Sequence, residues 1–298
     1  DDSLRLITQI IKDMQLDKKA FMPALDTTLD CLGIMDGMIA TMTVNGDEMR
    51  RAVELVRNGR IGKIVRVDVG LPSGGRGRPA DPNAVVPEGL DWNFWLGPAP
   101  FRPFQGVYDW DWRWVLEWGG GQMMDWIGHH ADIAQWGLGR DLSGPVSFEG
   151  YAPFEPEGIY DSPKTYRYTC RYADGVEMTV ADSSQVQSGT TWYGENGEWI
   201  YVNRGRFDAS SPKLRDSKIE AGELRLRSPG HQRNFIDCVK ARDTTLTPAE
   251  VAHRSASIGH LGQIAMLTGR KIAWDPAKEQ ILGDPAAAAL LGRAPRGP

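Results

Sequence analysis

Apolar positions at Leu4, Ile7, Ile10, Ile11 and Met14 recur at helical spacing and predict a helix over 4–14. Residues 20–45 show no clean period, while 47–58 (DEMRRAVELVRN) form an amphipathic helix that Gly59 and Gly62 end. Residues 63–71 (KIVRVDVGL) then alternate as a strand should, and a Gly/Pro-rich insertion fills 72–90. An aromatic segment leads into Gly119-Gly120-Gly121, after which the pattern reads as one helix up to the stop at Gly137 and Gly139. Strands are expected over 145–152, 164–172, 175–183, 189–194 and 198–203, divided by turn signals such as Ala173-Asp174-Gly175 and Glu195-Asn196-Gly197. Connections this short favour antiparallel pairing. Tyr166, Tyr168, Cys170 and Tyr172 alternate, so one face of the sheet is covered and the other open. Helices over 230–241, 248–268 and 285–291 close the chain. The fold class is α+β, built on a large, mostly antiparallel sheet with helices on one side.

Composition narrows the functional classes. A net charge of −5 with no lysine or arginine run argues against a nucleic-acid partner. No run approaches the roughly eighteen apolar residues needed to cross a bilayer. Cys31, Cys170 and Cys238 lie far apart and suggest neither a zinc knuckle nor a disulfide framework. Gly74-Gly75-Arg76-Gly77-Arg78-Pro79 lacks the strand-before, helix-after context of a phosphate-cradling loop. Tryptophan is the outlier: eight of eleven fall between Trp92 and Trp136, many of them among Gly, Pro and Asp. Rings at that density serve either as core or as exposed platforms for sugar rings.

The chemistry concentrates in residues 119–132, GGGQMMDWIGHHAD. On a helix Asp125 and His129 share a face, and Asp132 lies further along the same stripe. A carboxylate beside an imidazole suits proton transfer or metal binding, although a locally satisfied helix would also contain such a pair. A convergence of Asp125, His129 and His130 with His253 or His260 would accept Zn²⁺. Arg113, between Trp112 and Trp114, reads either as pocket-facing or as half of a surface ion pair. Arg204 and Arg206 read as structural or interfacial.

Several segments taken in order resemble the Gfo/Idh/MocA family of NAD(P)-dependent sugar and polyol oxidoreductases, in particular its bacterial subgroup with tryptophan-rich substrate domains. They are Leu90-Asp91-Trp92, Trp95-Leu96-Gly97-Pro98-Ala99-Pro100, Trp112-Arg113-Trp114 and the Gly119–Asp132 motif. Further on come Trp199–Gly205, Arg233–Cys238, Ala252-His253-Arg254-Ser255 and His260-Leu261-Gly262. The resemblance implies that an N-terminal Rossmann domain binds the dinucleotide and that an open-faced sheet domain supplies the substrate pocket. It makes Asp125 the group that holds or polarises substrate and His129 the acid/base at the hydroxyl being oxidised. Trp112, Arg113, Tyr108, His130 and His253 would shape the substrate site. It also implies a homo-oligomer formed through the sheet, in a bacterial cytoplasm or periplasm.

The start of the chain departs from that pattern. Only about 46 residues precede the helix over 47–58, and no G-x-G-x-x-G follows a strand to open a helix. Neither Asp17-Lys18-Lys19 nor Ser162-Pro163-Lys164 matches the family's lysine-bearing Glu-Lys-Pro segment. The expected organisation is therefore a truncated or remnant α/β segment at 1–60 and a substrate-binding sheet domain at 61–298. NAD or NADP is expected as cofactor where a complete Rossmann domain exists. Otherwise the alternatives are a cofactor-independent or metal-assisted keto-sugar lyase or hydrolase, with a possible divalent metal, and a non-catalytic sugar-binding or oligomerisation module.

Overall fold

The computed structural model describes residues 46–298 apart from 76, 107–108, 155–157, 293–295 and 297–298. The expected helix over 4–14 lies outside the described residues, as does Tyr108. Helix α1 (Gly46–Arg57) comes first, with Asp47 and Glu48 in its first turn and Arg57 in its last, charges that oppose the helix dipole. Strand β1 (Ile64–Leu71) follows it. Two short helices, α2 (Trp92–Leu96) and α3 (Leu116–Gly119), flank a 3-10 turn at Asp111–Trp114. The glycine motif then opens the long helix α4 (Gly121–Leu138).

Six strands follow: β2 (Ser147–Tyr151), β3 (Arg167–Arg171), β4 (Glu177–Asp182), β5 (Gly189–Gly194), β6 (Trp199–Asn203) and β7 (Arg206–Ala209). Helices α5 (Pro212–Arg215), α6 (His231–Ala241) and α7 (Ala249–Thr268) lead to β8 (Ile272–Asp275), β9 (Gln280–Leu282) and the short α8 (Pro285–Ala288). The strands form one nine-stranded sheet in the order β7-β6-β5-β1-β4-β3-β2-β8-β9. Every pairing is antiparallel except β1 with β4, where Val67 sits beside Met178 and Val69 beside Val180. The expected architecture is therefore what the chain adopts.

Helices α4 and α7 cover one face of the sheet. Val67, Val69, Tyr168, Cys170, Met178, Val180, Trp192 and Ile200 are fully buried there against Ile127, Ala131, Ala134, Ile258 and Ala265. Trp192 alone removes on the order of 200 Å² of ring from water, at most about 5 kcal/mol of stabilisation. Its indole N–H donates to the Ala134 carbonyl at 3.3 Å, so the polar end of the ring is satisfied as well. The two helices run antiparallel: Asp132 accepts from the Ser255 hydroxyl at 2.9 Å, while Met124 lies against Gly259.

Helix α1 belongs to the same compact unit, which spans Gly46–Pro298. The expected division after residue 60 therefore falls inside that unit. Its physical cause is the buried face Ala52, Val53, Leu55 and Val56, which joins the sheet core. Among the described residues no helix is long and apolar enough to cross a membrane.

Candidate functional site

The glycine run has a steric purpose. A Cβ on Gly119 would lie 2.5 Å from Arg113 Cα and 2.6 Å from its carbonyl oxygen. Gly121 adopts φ +87°, a left-handed conformation, and a Cβ there would meet Ser162 Cβ at 2.5 Å. The space these glycines leave is thus taken by the chain's own 3-10 turn and by Ser162. Ser162 ties the two together, its hydroxyl donating to the Trp114 carbonyl at 2.9 Å. The turn is thereby pressed against the start of α4, and Arg113 reaches along the helix.

Arg113 Nε stands 3.2 Å from Asp125 Oδ1, and its Nη1 donates to the Trp110 carbonyl at 3.0 Å. The guanidinium lies 4.0 Å from the centre of the Trp110 ring and 5.1 Å from that of Trp112. It is therefore held by two rings, a carbonyl and a carboxylate, and it pins Asp125 in turn. One turn further on, His129 lies on the same stripe, reachable from solvent but partly enclosed and edge-on to Trp126 at 5.8 Å. Its pKa is lowered, first by burial and then by the charge of Arg204, while Asp125 pulls it the other way. Between the two, Gly128 is exposed, and nothing lies within 4 Å of where its Cβ would be. The stripe thus offers a carboxylate, a bare stretch of helix and an imidazole held toward its neutral form. A neutral imidazole accepts a proton.

The remaining candidates are placed differently. His130 points to the sheet, not to substrate: it is 1% exposed, lies parallel to Trp126 with ring centres 6.4 Å apart, and has Nδ1 3.4 Å from Thr190 Oγ1. Burial pushes its pKa down to about 4. Adjacent helical residues diverge by about 100°, so His129 and His130 cannot share a face. Asp132 turns to α7 and Ser255, and burial raises its pKa. His253, expected at the substrate, instead bonds Glu279 at 2.7 Å, and Arg254 reaches the same carboxylate at 3.1 Å. With Asp132 beside Ser255 and Met124 beside Gly259, His253 lies toward the end of the helix pair remote from Asp125. Burial lowers the pKa of His260, and the neighbouring His253 adds to the shift. The proposed metal convergence is therefore not formed. Among the described residues no group of three or more His, Cys, Asp or Glu side chains could hold a metal ion.

One residue beside this stripe, Arg204, reads from sequence as structural or interfacial. Arg204 occupies the two-residue turn between Asn203 and Arg206, which pair across β6 and β7. Its guanidinium lies 4.5 Å from the centre of the Trp126 ring. The register brings it there: Thr190, under His130, pairs with Val202, two residues before Arg204.

Neither glycine-rich stretch among the described residues has the strand–turn–helix form of a dinucleotide loop. After β1 the chain runs into Pro72 and, past the glycines, Pro79, with no helix following directly. The glycines before and at the start of α4 are packed against Arg113 and Ser162 of the same chain.

Residues 48–298 match the family model described as oxidoreductase family, C-terminal alpha/beta domain. Among solved structures, an NAD-binding protein from Listeria innocua aligns with a TM-score of 0.48 at 14% identity, covering 82% of this chain and 67% of that one. The WlbA dehydrogenase from Bordetella pertussis, solved with NADH and UDP-GlcNAcA, aligns at 0.47 and 16% identity, covering 75% and 60%. A 43-residue stretch, 14% of the chain, is 54% identical to the argininosuccinate lyase of Clostridium acetobutylicum. The chain spans only 10% of that enzyme's length.

Proposed function

We propose that this chain, which belongs to the Gfo/Idh/MocA oxidoreductase family, acts as a sugar or polyol oxidoreductase whose substrate is held on the exposed stripe of α4. The observation that carries the reading is the Arg113–Asp125 pair beside a His129 biased to its neutral form. Asp125, fixed by Arg113, orients a substrate hydroxyl as acceptor. His129 takes the proton of the hydroxyl being oxidised. The half-buried Trp112 and the exposed Trp110, braced by the same guanidinium, offer apolar faces for a sugar ring. NAD or NADP would supply the hydride acceptor in such an enzyme. We assign it no site among the described residues, whose own part is binding, orientation and proton transfer.

The sheet face turned away from α4 and α7 belongs to the same proposal as the surface for self-association. It carries Arg66 at 3.8 Å from the Tyr193 ring centre, with Asp68 3.3 Å from the same guanidinium. Sedimentation velocity of the parent and of Tyr193→Asp checks it: a dimer that persists in the variant removes this face from the interface.

The test of function uses the full chain with NAD⁺ or NADP⁺ and a panel of aldoses and polyols. Reduced nicotinamide that forms with the parent and not with His129→Ala supports the reading. A keto product formed without nicotinamide, and still dependent on His129, would replace oxidation by lyase chemistry at the same pair. Sugar binding with no turnover, unchanged by His129→Ala, would leave only a binding module.

A further inference from the structure

Arg204 is the least explained cation on this surface. It is exposed, and it has no ion-pair partner among the described residues. Arg113 differs, because its charge is already matched by Asp125. The turn that carries Arg204 is held firmly. Asn203 Oδ1 accepts from the Arg204 backbone N–H at 2.7 Å, and Asn203 Nδ2 donates to the Ser188 carbonyl at 2.9 Å. The side chain then spreads its guanidinium over Trp126, the ring that also abuts His129 edge-on. A stacked guanidinium has lost much of its freedom before a ligand arrives, and its outer N–H groups stay available. Its field reaches the imidazole, since Arg204 is one of the charges that disfavour protonation of His129. The face therefore holds one carboxylate, the cation that neutralises it, and a second cation left over.

We propose that Arg204 is a specificity-determining residue that binds an anionic group of the substrate, namely a carboxylate on an acidic sugar or polyol. This deepens the proposed function and rests on its placement of substrate at Asp125 and His129. Charge balance selects a carboxylate over a phosphate ester: one unmatched guanidinium balances one negative charge, and its planar fork can then make two parallel hydrogen bonds to the carboxylate. A phosphate dianion would leave a second charge facing Asp125.

The test compares gluconate with glucitol, which share a carbon chain and differ at C1 in carboxylate against hydroxymethyl, by calorimetric titration of the full chain. Gluconate should bind about tenfold or more tighter, the usual gain from a charge-assisted contact. Arg204→Gln should bring the ratio to within about twofold of one, and Arg204→Lys should keep part of it. A second measurement needs no variant: raising salt from low to physiological strength should weaken gluconate and leave glucitol nearly unaffected. Equal binding of the two ligands to the parent, or a preference that survives in Arg204→Gln, overturns the assignment of Arg204 and leaves the substrate face standing. Tighter binding of glucose 6-phosphate than of gluconate overturns the choice of carboxylate. Failure of every sugar to bind overturns both readings.

Discussion

Two glycines of one motif should respond in opposite directions when each is changed to alanine. At Gly119 the new methyl would sit 2.5 Å from Arg113 Cα and 2.8 Å from its carbonyl carbon. Those atoms are backbone, so relief requires the 3-10 turn to withdraw until the contact reaches about 3.4 Å, where ordinary van der Waals contact begins. Overpacking of this kind costs about 1–3 kcal/mol. Gly128 lies within the exposed face of α4 with open space over it, and its φ is outside the left-handed region. Alanine there gains helix propensity and restricts the unfolded chain, worth about 0.5–1 kcal/mol. In a unit of this size each kcal/mol moves Tm by about 2–4 °C. Gly119→Ala should therefore melt about 2–12 °C lower than the parent, and Gly128→Ala about 1–4 °C higher. Thermal melts followed by circular dichroism, with urea midpoints as a second measure, decide the matter. A Gly119→Ala protein as stable as the parent would mean that the turn does not rest on the glycine run, and the placement of Arg113 would fall with it. A destabilised Gly128→Ala would mean that the helix face is covered.

His129→Ala should lower kcat by about 10²–10⁴, the usual range for a lost general base. As the neutral base, His129 should lose activity when pH falls through its lowered pKa. Arg204→Gln should move that acid limb of kcat/KM to higher pH and Asp125→Asn to lower pH, since the two charges act on the imidazole in opposite senses; a limb that stays put in both variants removes His129 from the proton path. Trp112→Ala should weaken sugar binding by about 1–3 kcal/mol if its ring is a stacking platform, and unchanged affinity would leave the ring only its contact with Arg113. His130 has its pKa at about 4 in the folded protein, so below about pH 6.5 the unfolded chain binds a proton that the native state refuses. Stability should fall as pH drops from about 6.5 to 4, by at most about 3 kcal/mol from this residue; urea midpoints at both ends for the parent and His130→Leu test this, and equal falls would clear His130.

Long elements were legible in the chain because their periods repeat. The helices over 47–58, 230–241 and 248–268 and the five strands from 145 to 203 form where hydrophobic spacing places them. What escaped was short. Strands β7, β8 and β9 have three or four residues each, too few for alternation to stand out, and α2 and the 3-10 turn are single turns. The parallel neighbour of β1 was also out of reach, because hairpin logic pairs sequential strands and β4 lies more than a hundred residues later. At the site, Asp125 and His129 followed from their four-residue spacing, and Arg113 from its tryptophan neighbours. His130 carried a warning in plain view, since a residue next to His129 on a helix must face elsewhere. Arg204 had no such signal. Its proximity to Trp126 depends on the order β5-β6-β7 at the sheet edge, which becomes visible only once the sheet is assembled.

The ion pair changes what Asp125 can do. A free carboxylate four residues before a histidine could compete with it for the substrate proton, or take a hydrogen bond from it. Here Arg113 occupies one oxygen of Asp125, and two tryptophan rings and the Trp110 carbonyl keep the guanidinium in place. Arg113 thereby holds the Asp125 carboxylate in one orientation on the stripe beside the imidazole. His129 differs, because burial and Arg204 favour its neutral form. The two groups are thus divided by their neighbours into a fixed charge that orients and a neutral base that accepts. On this logic Arg113→Ala should do more than loosen substrate. It frees Asp125 to interact with His129, raises the imidazole's affinity for a proton and moves the acid limb of kcat/KM upward, whereas loss of a mere binding contact would raise KM and leave the limb where it was.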